Sequence, residues 1–155
     1  MPQGFEGFSY FGLGPTEAYE DKCHLGTVRV WESTVTDNHE PYIFPQENGS
    51  HARTRWAAVS DAVQQGLLVK ACGDTQYFSC NASHYSDEML TQAAHEQDLV
   101  PAPETFFRID WKMSGLGSAS CGPGMEECYH ACAEHFDFSV QLLPCHLGDT
   151  DPFDV

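Results

Sequence analysis

The chain has 155 residues, is 41% apolar, and sets 23 acidic residues against seven basic ones, for a formal charge of −16. That length and apolar content, with ten phenylalanines, suit one folded domain with its own core and argue against disorder. The acidity argues against a nucleic-acid backbone or an anionic membrane as partner and leaves neutral ligands and protein surfaces.

The opening residues, MPQGFEGFSYFGLGP, have neither a basic n-region nor an apolar h-region, so no signal peptide is expected. No apolar run reaches bilayer-spanning length. An odd cysteine count (Cys23, Cys72, Cys80, Cys121, Cys128, Cys132 and Cys145) without an export signal predicts reduced thiols in a cytoplasm. Gly12–Pro15 reads as a turn, and GTVRVWES (Gly26 to Ser33) as a strand ahead of a second turn at Glu47–Ser50. WAAVSDAVQQGLLVKA is read as two strands joined near Asp61–Gly66, despite its helical propensity, because Gly66 interrupts it. After a turn at Cys72–Asp74, QYFSCNAS (Gln76 to Ser83) is a strand. SDEMLTQAAHEQ is the one expected helix: Ser86 suits an N-cap, and Asp87 and Glu88 suit the first turn. In FFRIDWKM, Phe107, Ile109, Trp111 and Met113 alternate with polar residues. Phe136, Phe138, Val140 and Leu142 do the same in HFDFSVQLL. Residues 145–155 form a polar, acidic tail, expected to be an edge segment or frayed. The expected fold is all-β, an antiparallel β-sandwich with one short helix, in a single domain over residues 1–155.

Five kinds of chemistry have candidate residues in the sequence. GLGSASCGPG (Gly115 to Gly124) lacks the third glycine of a dinucleotide fingerprint and opens no helix. Cys121 as a nucleophile has no neighbouring base in sequence and no helix N-terminus, so a small residue fitting a tight loop is the better reading. Cys128, His130 and Cys132 would share one face of a strand, with His135 nearby, but their spacing matches no zinc finger or ribbon. Glycoside hydrolysis needs two carboxyl groups roughly 5–10 Å apart. Glu17, Asp21 and Glu47 lie in turn-rich loops, where a turn-capping acid is the commoner role. Tyr42, Phe44, Trp31 and Tyr85 fall near turns, where exposed rings can stack on sugars.

Taken together, YFGLGPTEAYEDK, YIFPQENGSHARTRW, FSCNASHYSDEMLTQAAH and RIDWKMSGLGSASCGP are more specific than any one motif. In this order they resemble the C-terminal domain of the large bacterial β-galactosidases of glycoside hydrolase family 2, also found as the small subunit of split forms. The resemblance covers roughly Tyr10 to Pro144. It implies part of the C-terminal super-sandwich of an enzyme that hydrolyses terminal β-galactosides such as lactose with retention. The catalytic glutamates and the magnesium ligands lie on a barrel absent here, so the segment is expected to hold no cofactor and to be inactive alone. Cys121, Ser118 and Gly117 would line the substrate pocket; some members carry tryptophan at the position matching Cys121. The segment GMEECYHACAEHFDFSVQLLP would be a closing hairpin turning near Ala133–Glu134. Implied partners are the catalytic barrel domain or large subunit, a β-galactoside, and a second copy in a homo-oligomer, with neither nucleic acid nor membrane. The alternative function is a free-standing carbohydrate-binding β-sandwich module.

Overall fold

A computed structural model describes residues 1–117 and 122–155. Among the described residues, eight antiparallel strands form two sheets. The five-stranded sheet runs β2 (Thr27–Thr34), β1 (Gly7–Gly14), β4 (Trp56–Ser60), β5 (Gln65–Ala71), β8 (Val140–His146). The three-stranded sheet runs β3 (His51–Thr54), β6 (Phe78–Ser83), β7 (Phe106–Asp110). One helix, α1 (Asp87–Gln92), starts where Ser86 accepts a hydrogen bond from the Met89 amide at 3.2 Å, the expected cap. This is the all-β sandwich with one short helix that the alternating pattern predicts. No helix among the described residues is long and apolar enough to cross a membrane.

The main core lies between the sheets. Strand pleating sends Phe8 and Tyr10 of β1, Ala57 and Val59 of β4, and Val69 of β5 against Phe78, Cys80 and Ala82 of β6. Burial pushes the Cys80 thiol up to about 12, so it stays protonated. The opposite pleat face of the five-stranded sheet is also apolar, with Trp56, Ala58 and Leu68 buried and Phe11 and Leu143 packed on them.

Two expectations are corrected. Gly12–Pro15 is not simply a turn, because Gly12 and Gly14 end β1, the strand flanked by β2 and β4. A Cβ on Gly12 would lie 2.5 Å from Thr54 Oγ1, and one on Gly14 2.3 Å from the Tyr10 hydroxyl, so close packing, rather than turning, demands these glycines. The closing hairpin near Ala133–Glu134 does not form, and the strand expected from His135 begins only at Val140. Val140 pairs with Ala71, the last residue of β5, after which the Cys72–Asp74 turn leads away and leaves residues 135–139 no strand to join. Phe136 is 56% exposed and stacks on Trp111, itself past the end of β7, instead of entering the core. Of the two alternatives for the tail, the edge segment holds, since β8 is the edge strand of the five-stranded sheet. Cys145 and His146 complete β8, and Phe153 packs edge-on against Phe11 and Trp56.

His51 is fully buried against Tyr10, with ring centroids 4.0 Å apart. Its Nδ1 lies 3.1 Å from the Leu13 carbonyl and its Nε2 2.7 Å from Asn38 Oδ1. Although a neutral ring has one N–H for these two oxygens, burial dominates and holds the imidazole down to about 4. The unfolded chain therefore takes up a proton near pH 6.5 that the folded chain refuses. Stability should fall by up to about 3 kcal/mol between pH 6.5 and pH 4. Urea unfolding across that range checks this, with a shallower decline expected for His51→Gln. Gly12→Ala should cost about 1–3 kcal/mol by overpacking against Thr54, read as a lower urea midpoint at unchanged slope.

Candidate functional site

Three loops meet at one rim of the sandwich: residues 15–26 after β1, residues 35–50 before β3, and the chain after β7. Buried carboxylates hold them together. Glu17, 5% exposed, accepts hydrogen bonds at Oε1 from the Lys22 ammonium and the Tyr42 hydroxyl. Its Oε2 accepts from the Gly49 amide at 2.8 Å. Tyr19, fully buried, donates to Glu47 Oε1 at 3.0 Å and accepts from the Ser50 amide at 3.3 Å. Burial and the nearby Glu47 and Glu17 push the Tyr19 phenol far above its usual range, so it remains a donor.

Glu47 is gripped at both oxygens by Arg108, whose Nη1 donates to Oε2 at 2.8 Å. Arg108 also donates to Asp110 at 2.9 Å and to Asp87 at 3.1 Å, tying β7 to the start of α1. Burial disfavours the guanidinium charge, but these carboxylates outweigh it and raise its pKa. At Asp110 burial wins, and the carboxyl sits above its usual range. The FPQENG turn needs its glycine twice over: Gly49 has φ +71°, and a Cβ there would lie 2.6 Å from the Asn38 carbonyl.

Asp21 holds the glycine loop. Its Oδ1 accepts from the Leu116 amide at 3.1 Å and its Oδ2 from the Gly117 amide at 2.8 Å. A Cβ on Gly115 would strike the Asp21 carboxyl carbon at 2.4 Å, and Gly117 has φ +69°. The Gly115 amide donates to the Tyr129 carbonyl at 3.0 Å, and Ser114 Oγ accepts from the Ala131 amide at 2.9 Å. Gly117 is therefore placed at the rim; Ser118 and Cys121 lie outside the described residues.

This arrangement bears on each chemistry considered above. Glu17, Asp21 and Glu47 each use both oxygens on internal donors, so none of the three stands free to protonate a leaving group or activate water. Cys128 lies in a single 3-10 turn (Glu127–Tyr129), not on a strand, so no shared strand face aligns it with His130 and Cys132. Of the four aromatics expected near turns, Trp31 lies within β2 and Phe44 is 66% exposed. Tyr42 is tied to Glu17, the Trp31 indole donates to the Thr27 carbonyl at 3.3 Å, and the Tyr85 ring lies 4.8 Å from that of His39. Arg108 escaped sequence reasoning because period-two alternation puts it on the solvent side of its strand. The family motifs do contain its partners, Glu47, Asp87 and Asp110. Arg108→Ala should destabilise the chain by about 1–3 kcal/mol, since it leaves Glu47 half-buried without a cation, and Arg108→Lys should recover only part of this. Chemical denaturation of both variants checks it.

The family model described as the β-galactosidase small chain matches residues 1–142. The chain is 38% identical to a β-galactosidase of Staphylococcus xylosus over 142 residues, covering 92% of this chain and 14% of that protein. It is 37% identical to a β-galactosidase of Actinobacillus pleuropneumoniae over 134 residues, 86% of this chain and 12% of that protein. It is 32% identical to the β-galactosidase BgaC of Bifidobacterium adolescentis over 117 residues, 76% of this chain and 11% of that protein. The chain thus spans between 11% and 14% of the length of these relatives. The chain belongs to the β-galactosidase small-chain family.

Proposed function

We propose that this chain is the C-terminal, non-catalytic segment of a retaining β-galactosidase of glycoside hydrolase family 2, acting on terminal β-D-galactosides such as lactose. Its rim completes the substrate pocket and packs against the catalytic barrel domain or large subunit. The observation that supports this best is the Asp21 clamp, which spends an acid on positioning Gly115–Gly117 rather than on chemistry. Gly117, with Ser118 and Cys121 after it, lines the pocket edge, and Cys121 contributes shape there rather than a reactive thiol. Exposed Ile43 and Phe44 give the barrel an apolar surface to cover. The catalytic glutamates and magnesium belong to that barrel. The whole enzyme works in the cytoplasm.

The purified chain should not hydrolyse a chromogenic galactoside. Turnover that copurifies with it and is lost in Cys121→Ala or Glu47→Gln would overturn the reading. In the assembled enzyme, Asp21→Ala should raise KM about tenfold with a smaller change in kcat, because a loosened pocket edge weakens ground and transition state together. An unchanged KM would remove the loop from the substrate site.

A further inference from the structure

The chain has three asparagines, and all three meet at the FPQENG turn, where Asn38 Nδ2 donates to Asn81 Oδ1 at 3.1 Å and both brace Asn48–Gly49. Asn48 is the one followed by glycine, whose missing Cβ lets a main-chain nitrogen approach the preceding side-chain amide most freely. Every polar group of the pair is held. The Asn48 carbonyl accepts from Asn81 Nδ2 at 2.7 Å, and the Gly49 carbonyl from Asn38 Nδ2 at 2.9 Å. Asn48 Oδ1 accepts from the Glu40 amide at 3.1 Å, and its Nδ2 donates to the Gln46 carbonyl at 2.9 Å. The Gly49 amide donates to Glu17 Oε2 at 2.8 Å, and both Glu17 and Asn48 are buried.

We propose that Asn48–Gly49 is a latent self-modification site, and that the buried Glu17 carboxylate keeps it from reacting. The reaction is deamidation. The Gly49 nitrogen gives up its proton and attacks Asn48 Cγ; the N–Cγ bond forms, the Cγ–Nδ2 bond breaks, and Nδ2 leaves as ammonia with that proton. Water then opens the cyclic imide at either carbonyl, giving aspartate or isoaspartate with no change of oxidation state. In the fold, the attacking amide anion would form 2.8 Å from a carboxylate removed from water, where like charges repel strongly. Departure of Nδ2 also forfeits its bond to Gln46, and the grip of Asn81 and Asn38 on the two carbonyls resists main-chain rotation at the turn.

Once formed, the product undoes the turn. An ionised aspartate at position 48 has no donor for the Gln46 carbonyl and adds a carboxylate one residue from the amide that Glu17 holds. Isoaspartate goes further, since it lengthens the main chain by a methylene and carries the Gly49 amide away from Glu17. The change runs one way only, so it records the time the rim has spent open. Asn38 and Asn81 are followed by His39 and Ala82, whose Cβ atoms hinder the same attack. The inference rests on the geometry of the rim and holds whether or not that rim edges a galactoside pocket.

The test follows position 48 by tandem mass spectrometry while the full chain is incubated in mildly alkaline buffer, either folded or unfolded in urea. The unfolded chain should convert Asn48 to aspartate and isoaspartate at least about a hundredfold faster than the folded one, which reacts only through an opened state. Folded Glu17→Gln, which removes the charge and keeps the shape, should react at least about tenfold faster than folded wild type. Glu17→Asp, the milder change, should fall between the two. Gly12→Ala lowers global stability without touching the turn and should leave the folded rate unchanged. Equal rates in the folded and unfolded chain, or no reaction at Asn48 in the unfolded chain, would overturn the proposal. So would Glu17→Gln and Glu17→Asp both reacting as slowly as wild type, or Gly12→Ala matching the acceleration of Glu17→Gln.

Discussion

A carboxylate removed from water must be met by donors or a cation, and in this chain that requirement organises the rim. Glu17 and Glu47 sit where the loops converge on β7, and their donors come from three places: Lys22 and Tyr19 from the first loop, Tyr42 and Gly49 from the second, Arg108 from β7. None of these loops has regular structure of its own to fix its shape. Each is shaped by the charge it must satisfy, and the bidentate Arg108 grip carries that order from the loops into the three-stranded sheet.

Asp21 extends the same logic to the glycine loop, where two backbone amides replace a cation. With 23 acids and only seven bases, the chain cannot pair its carboxylates with cations throughout, and backbone N–H groups supply the difference at Gly49, Leu116 and Gly117. Acids that resemble a catalytic set in sequence are thereby committed to architecture.

The two sheet faces solve different problems. The inner face is closed by the second sheet, with His51, Tyr10 and Phe8 stacked at its centre. The outer face would leave Phe11 and Trp56 in water, and the tail supplies Phe153 against them. That closure is imperfect, because a single irregular strap cannot cover a pleated sheet, and the remaining space is a cavity lined in part by Trp56 and Phe153.

Alternation and punctuation were enough to read β2, β4, β5, β6, β7 and the Ser86-capped helix, because each carries its period within a few residues. The ordered motifs were enough to point to the family. Position in the fold was not legible. Gly12 and Gly14 read as a turn until the approach of Thr54 and Tyr10 shows that only a strand without side chains fits there. Phe136 and Phe138 read as strand until β5 ends at Ala71 and the ladder with β8 stops at Val140. The sequence by itself determined the fold class, most of the strands and the family; the tertiary structure alone decided which acids are spent, where the tail goes, and what Arg108 holds. The physical reason is range: periodicity and capping act within a few residues, whereas Arg108 meets Glu47 across 61 residues and Asp21 meets Gly117 across 96.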